Sequence, residues 1–349
     1  MEPESQTFNE KRIRKLTQLY YSKPEVQKDI FEFCKDRETV PRYFEGFGKR
    51  PDALQYQGDV FELVKKGATS FHCSEELWKD PLQLSTNMTQ DQLNDLRIGW
   101  SFLIDIDSKY IDYSKVMVEI VIAFLRFHGV KNFGLKFSGN KGFHILVPWN
   151  AFPKEVYGKK TSDMFPEWPR IILSYITSQT KERLIKGISN LEKPSKYIKD
   201  FKASKEVTPD LILVSPRHLF RVPYSLHEKT ALASVVIDPS QIADFDLKDA
   251  DPMTAKIKPF MPKVKEGEAK ELLIQALDWY QEHKENKEES PSKLGWSKEE
   301  KEKKVFKSVK LERLSDEHFP PCIKNILKGL ADGQHRSLFV LINLFRSLG

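Results

Sequence analysis

A chain of 349 residues with 40% hydrophobic content can bury one large domain and a small appendage. Its three cysteines, Cys34, Cys73 and Cys322, are widely separated; they fit a reducing compartment and lack the close spacing of a structural zinc site. A net charge of +6 favours a polyanionic partner only mildly, and without a signal peptide or membrane-spanning apolar run the expectation is a soluble, cytoplasmic protein with no membrane partner.

In chain order, NEKRIRKLTQLYYSKPEVQKDIFEFCKD predicts two amphipathic helices interrupted near Pro24, and Asp91 to Leu96 leads into a strand. That strand, SFLIDIDSKY, sends Phe102, Ile104 and Ile106 to one face and Asp105 and Asp107 to the other. Alternate strand residues lie ~6 to 7 Å apart, so both carboxylates could reach one pair of cations. The competing reading is a strand end whose acids face water. VMVEIVIAFLRFHGV then predicts a buried helix behind the sheet.

KNFGLKFSGNKGFHILVPW has the alternation of a β-hairpin: Phe133, Leu135 and Phe137 against Lys136 and Ser138, then Phe143, Ile145 and Val147 against His144 and Leu146. Gly139 and Gly142 in its turn can take positive φ and admit a phosphate to the backbone, with Ser138, Lys141 and His144 clustered around the cradle. A structural histidine beside an ordinary turn is the alternative. EWPRIILSYITSQTKERLIKGI predicts another helix, and PDLILVS carries Asp210 into an apolar strand. RHLFRVPYSLHEKT gathers Arg217, His218, Arg221, Ser225, His227 and Lys229 in a region broken by Pro223, a density of donors that suits a triphosphate or, failing that, a solvated basic loop. Two acids on one strand plus a third from elsewhere would hold two cations for in-line attack on a nucleotide α-phosphate.

The order of these parts resembles the catalytic subunit of the archaeo-eukaryotic primases and the related primase-polymerases. The resemblance rests on the Asp-x-Asp strand, the Ser-Gly-x-x-Gly-x-His hairpin, and an acid followed by Arg-x-Pro-x-Ser-x-His-x-Lys. PRYFEGFGKRPDALQY looks like a divergent form of the family's Arg-Glu-Phe-Gly-Phe segment, with Tyr43 in place of the acid. The resemblance implies an α+β fold with an RNA-recognition-motif-like, antiparallel-rich sheet carrying the acids and an adjoining lobe supporting the hairpin. It implies Asp105, Asp107 and Asp210 as the catalytic, Mg²⁺- or Mn²⁺-binding acids, with Asp238 in SVVIDPS as an alternative third acid. Ser138, Lys141, His144, Arg221, Ser225, His227 and Lys229 match nucleotide-binding positions. The implied reaction is primer synthesis on a single-stranded DNA template from NTPs or dNTPs, the 3′-hydroxyl of one nucleotide attacking the α-phosphate of the next.

Family members usually carry a zinc knuckle after the acid pair; here Ser108 to Val130 holds His128 and no cysteine, so zinc is not expected. HFPPCIKNILKGLADGQHRSLFVLINLFRSLG resembles the opening of the iron-sulfur domain of the primase large subunit, with Cys322 at a cluster-ligand position. A cluster needs further ligands that this segment lacks, so none is expected; the chain is either a truncated fusion or carries a module that has lost its cluster. The expected layout is a catalytic domain over 1–265, a charged helix and linker over 266–310, and a helical module over 311–349 that stands in for a large-subunit-like domain or docks with a separate subunit. Two other functions remain open: a repair-type polymerase of the same superfamily that only extends ends, and an inactive single-strand-binding module.

Overall fold

The N-terminal helices form where the apolar spacing predicts them, α1 over Phe8–Tyr21 and α2 over Pro24–Cys34. Pro24 sits in the first turn of α2, where its missing N–H costs nothing and its fixed φ starts the helix. This computed structural model describes residues 8–108, 110–191, 214–288, 319, 321–328, 337 and 341. The chain divides into two compact units, Met1–Lys287 and Glu288–Gly349.

Two antiparallel sheets organise the first unit. One has the order β1 (Thr39–Arg42), β2 (Ser70–Ser74) and a strand, β10, at Leu219–Arg221. Its register sets Arg221 opposite His72 and Phe220 opposite Cys73. Between β2 and the second sheet run α3 (Asp59–Lys65, placed before β2), the β3 (Glu76–Trp78) and β4 (Arg97–Trp100) pair, and α4 over Gln90–Leu96. Thr89 and Gln92 cap α4 reciprocally, Oγ1 accepting from the Gln92 amide and Oε1 accepting from the Thr89 amide, which fixes where the helix starts.

The second sheet contains β5 (Phe102–Ile106), β6 (Gly134–Phe137) and β7 (Phe143–Val147) in the order β5-β7-β6. The chain segment at 235–237 continues it beyond β6: the Phe137 amide donates to the Val235 carbonyl and the Ile237 amide to the Leu135 carbonyl, each at 2.9 Å. The hairpin therefore belongs to the same sheet as the acid pair, not to an adjoining lobe, because β7 pairs directly with β5 along its whole length.

Ile104, Ile106, Phe143 and Ile145 share one core with Met117, Val118, Val121 and Leu125 of α5 (Ile111–Phe127), the helix anticipated behind the sheet. A small β8 (Glu155–Val156) and β9 (Lys159–Lys160) hairpin precedes α6 (Glu167–Leu191), which packs along α5. Helix α7 (Lys270–Glu288) closes the unit, and its Leu272, Leu273 and Ala276 are fully buried in the same core. The first unit thus reaches Lys287 and takes in a helix that reads, from its charge content, as the start of a linker. In the second unit α8 spans Pro321–Leu327 with Ile323 buried; the rest of the expected helical module, and the charged run up to 310, lie outside the described residues apart from single positions. Among the described residues no helix is long and apolar enough to cross a membrane.

Candidate active site

The β5-β7-β6 register puts Asp105 opposite His144 and His144 opposite Lys136, so three polar side chains form one row across the sheet. Asp105 Oδ1 lies 3.4 Å from His144 Nε2, and the acid keeps 21% of its side-chain surface accessible. His144 is buried, and its Nδ1 finds no partner among the described residues. Burial, with the neighbouring Lys136 and Arg221 charges, pushes its imidazolium well below the ordinary histidine range, so the ring is neutral. Lys136 is fully buried; its Nζ donates to Ser234 Oγ at 2.8 Å and lies 5.8 Å from the Phe220 ring centroid. Burial and Arg221 drive the Lys136 ammonium far down, while Asp105 opposes the shift.

Asp107 lies one residue beyond β5, exposed, with Oδ1 accepting from the Ser108 amide at 3.0 Å. The hairpin turn is packed onto it. A Cβ at Gly142 would stand 2.4 Å from the Ile106 carbonyl oxygen and 3.2 Å from Asp107 Oδ1, so this glycine serves close approach and needs no positive φ. Gly139 does take φ +102, and a Cβ there would stand 2.7 Å from His227 Cβ. The turn expected as an open cradle is therefore filled on both sides by protein. Ser138 Oγ accepts from the Gly142 amide at 3.2 Å, which rigidifies the turn, and Lys141 projects into solvent.

The basic segment docks on this turn, Thr230 Oγ1 donating to the Gly139 carbonyl at 2.6 Å. Its cations are mostly engaged internally. Arg217 forks onto the buried Glu38 at 2.8 and 3.2 Å, and His218 Nδ1 lies 3.2 Å from Glu75 Oε1. Arg221 donates to both oxygens of Glu228, at 2.8 and 3.2 Å, and to the Leu226 carbonyl at 2.6 Å. Ser225 departs from its expected phosphate-contacting role: it is fully buried, and its Oγ accepts from the Phe71 amide at 2.7 Å and from Tyr21 Oη at 3.5 Å. The tight turn after Pro223 rotates it into the core instead of toward the sheet face.

His227 Nδ1 accepts from the amides of Lys229 and Thr230 at 3.2 and 3.3 Å, which leaves Nε2 as the N–H. Burial, reinforced by Arg221, lowers its pKa to about 4, so it is a neutral donor at physiological pH. Lys229 is exposed.

Of the two candidate third acids, Asp210 lies outside the described residues. Asp238 is misplaced for the role. The bridge Lys136↔Val236 sets its segment three strand positions from β5, roughly 14 Å at the usual strand spacing. There its carboxylate caps a short turn, accepting from the Ser240 amide and hydroxyl at 2.9 and 2.7 Å. It borders a cavity of 420 Å³ beyond β6, away from Asp105.

Asp105 and Asp107 are hard oxygen donors of the kind Mg²⁺ and Mn²⁺ accept, and such ions commonly take one or two carboxylates and fill the remaining positions with water and substrate phosphate. Among the described residues no three His, Cys, Asp or Glu side chains converge as a closed metal cage. Residues that sequence reading passed over are His72, Arg42 and Glu228, whose pairing depends on the β2–β10 register and on a loop returning over it. A local signal existed for one of them: Glu228 interrupts the basic run between His227 and Lys229.

No family model matches the chain. An uncharacterized protein of Methanocaldococcus jannaschii is 27% identical over 122 residues, which is 35% of this chain. The match spans about a quarter of that relative's length (26%). Among solved structures, the polymerase domain from Mycobacterium tuberculosis ligase D, in complex with DNA, is similar at a TM-score of 0.43 and 14% identity, covering 76% of this chain and 88% of that one.

Proposed function

We propose that the chain is a nucleotidyltransferase of the primase and primase-polymerase kind, which makes primers on single-stranded DNA from nucleoside triphosphates. The observation that carries this reading is the meeting of three sequence-distant segments at one end of one sheet. The acid strand, the hairpin turn and the 221–230 loop touch through Asp105–His144, Asp107–Gly142 and Gly139–Thr230.

Asp105 and Asp107, with Asp210 as the third acid, would hold Mg²⁺ or Mn²⁺, which when bound supplies charge stabilisation at the reacting phosphate and an activated 3′-hydroxyl. The chain's own residues do the rest. Lys141 and Lys229, exposed on the turn and the loop, attract the triphosphate; His227 offers its Nε2–H and Ser138 its hydroxyl. His144, neutral and buried against Asp105, orients that carboxylate without neutralising it. Template contacts would run chiefly through phosphates, and a large-subunit-like domain or subunit would be the protein partner.

The test is synthesis on a circular single-stranded template with labelled nucleotides and no primer. Product with Mg²⁺ or Mn²⁺ that vanishes in the Asp105→Ala, Asp107→Ala double variant supports initiation. Product that needs an added primer replaces this reading with the end-extending one, and no product under either condition removes both.

A further inference from the structure

Glu228 is the centre of a donor set larger than a carboxylate can satisfy. Its Oε1 accepts from Ser70 Oγ at 2.5 Å and from Arg221 Nη1 at 3.2 Å, and its Oε2 accepts from Arg221 Nη2 at 2.8 Å. Two further groups face it without closing a hydrogen bond: Arg42 Nε at 3.5 Å and His72 Nε2 at 3.9 Å. Arg42 Nε and His72 Nδ1 are buried atoms with no hydrogen-bond partner among the described residues. Buried donors are rarely left unmet, and leaving one so costs about 1–3 kcal/mol. The carboxylate is ionised, since Arg221 and the hydrogen bonds from Arg221 and Ser70 outweigh burial and hold it at about 2.

The carrier of Glu228 is a short loop. Leu226 and Ala233 bridge at its base, the His227 amide donates to the Leu232 carbonyl, and the loop is tied to the hairpin turn through Thr230. Arg42, Ser70, His72 and Arg221 sit instead on the β1-β2-β10 sheet, a rigid frame. An anion on a small loop thus plugs a donor set mounted on a sheet, and a phosphoryl group, with three oxygens in a tetrahedral array, would fill the valences that Glu228 leaves open.

We infer that Glu228 is a resident anion that occupies a phosphoryl subsite formed by Arg42, Ser70, His72 and Arg221, and that an incoming polyphosphate displaces it. The inference builds on the proposed nucleotide site and assigns it a gate: ligand entry requires the Arg221–Glu228 pair to open, so nucleotide affinity is set by a competition inside the protein. Two carbon–carbon bonds of side-chain rotation, or a shift of the 226–233 loop, suffice to free the cations without disturbing the sheet.

The experiment is calorimetric titration of the full chain with inorganic tripolyphosphate. Glu228→Gln keeps the shape and removes the competing charge, and it should bind on the order of tenfold more tightly than the unaltered protein. Equal or weaker binding by a folded Glu228→Gln protein overturns the inference, because Glu228 would then merely hold Arg221 in place. A second readout needs no variant: in the unaltered protein, tripolyphosphate should speed hydrogen exchange at the amides of His227 and Ala231 as the loop lifts. Unchanged or slower exchange there, with binding demonstrated, also overturns it. Neither measurement involves polymerisation, so a failure of primer synthesis would leave the gate standing, and a failed gate would leave primer synthesis untouched.

Discussion

Asp105 and His144 face each other across the β5–β7 ladder, with Oδ1 3.4 Å from Nε2. The contact is set by strand register, which a one-residue slip would destroy by sending both side chains to the opposite face. Site geometry and sheet geometry are in this sense the same thing, and the first prediction separates the acid that depends on the sheet from the one beyond it.

Asp107 is exposed and bonded only locally, to the Ser108 amide. Asp107→Asn should therefore leave thermal unfolding within about 0.5 kcal/mol of the parent while lowering metal-dependent nucleotide incorporation by at least about a hundredfold. A melting curve and an extension assay on the same preparation decide it. Retained incorporation would remove Asp107 from the metal-binding set.

Ser225 anchors the core through the Phe71 amide and Tyr21 hydroxyl. Ser225→Ala should cost about 1–2 kcal/mol of stability by leaving a buried N–H unpaired, with the KM for nucleotide unchanged. An increase in KM at unaltered stability would restore the hydroxyl to substrate binding.

Gly142 has room for no side chain, a Cβ lying 2.4 Å from the Ile106 carbonyl oxygen. Gly142→Ala should push the turn off the end of β5 and destabilise by about 1–3 kcal/mol. Urea denaturation measures the cost, and the accompanying loss of incorporation should exceed that of an exposed-site control such as Lys159→Ala.

Glu75 is fully buried with Oε2 unpartnered among the described residues, and burial, opposed by its contacts with His218, raises its carboxyl from an ordinary 4.5 to about 7. A folded-state value above the unfolded one means that the protonated acid favours the fold. Its contribution is complete below about pH 4.5 and disappears as pH climbs through about 7. Glu75→Gln should thus gain on the order of 2 kcal/mol over the parent at pH 8 and under about 1 kcal/mol at pH 5, read from urea midpoints at both values. A pH-independent difference would show that the group is not buried as a neutral acid.

The acid strand and the hairpin were legible because two-residue alternation reports directly on faces, and Asp105, His144 and Lys136 do share one. Helices α2 and α5 were legible for the same kind of reason, from apolar periodicity and a helix-starting proline. Partnership across the fold was not. Nothing local in RHLFRVPYSLHEKT tells that Arg217 and Arg221 each meet a carboxylate, one of them Glu38 from a segment 179 residues away. Density of cations reads as a ligand site whether the anion is external or built in. Ser225 was misjudged because a hydroxyl beside proline can turn either way, and core packing against Phe71 chose inward. Asp238 was separated from the acid pair only once its segment was seen to extend the sheet beyond β6.

The burial of Leu272, Leu273 and Ala276 has a practical corollary for anyone shortening this protein. Cutting at residue 265 would strip a long apolar stripe of its cover and invite sticky, poorly behaved material, since each exposed leucine forfeits about 1.5–3 kcal/mol. An expression boundary placed after Glu288 keeps that plug in its socket, and assays run on such a piece would report on chemistry rather than on damage at the seam.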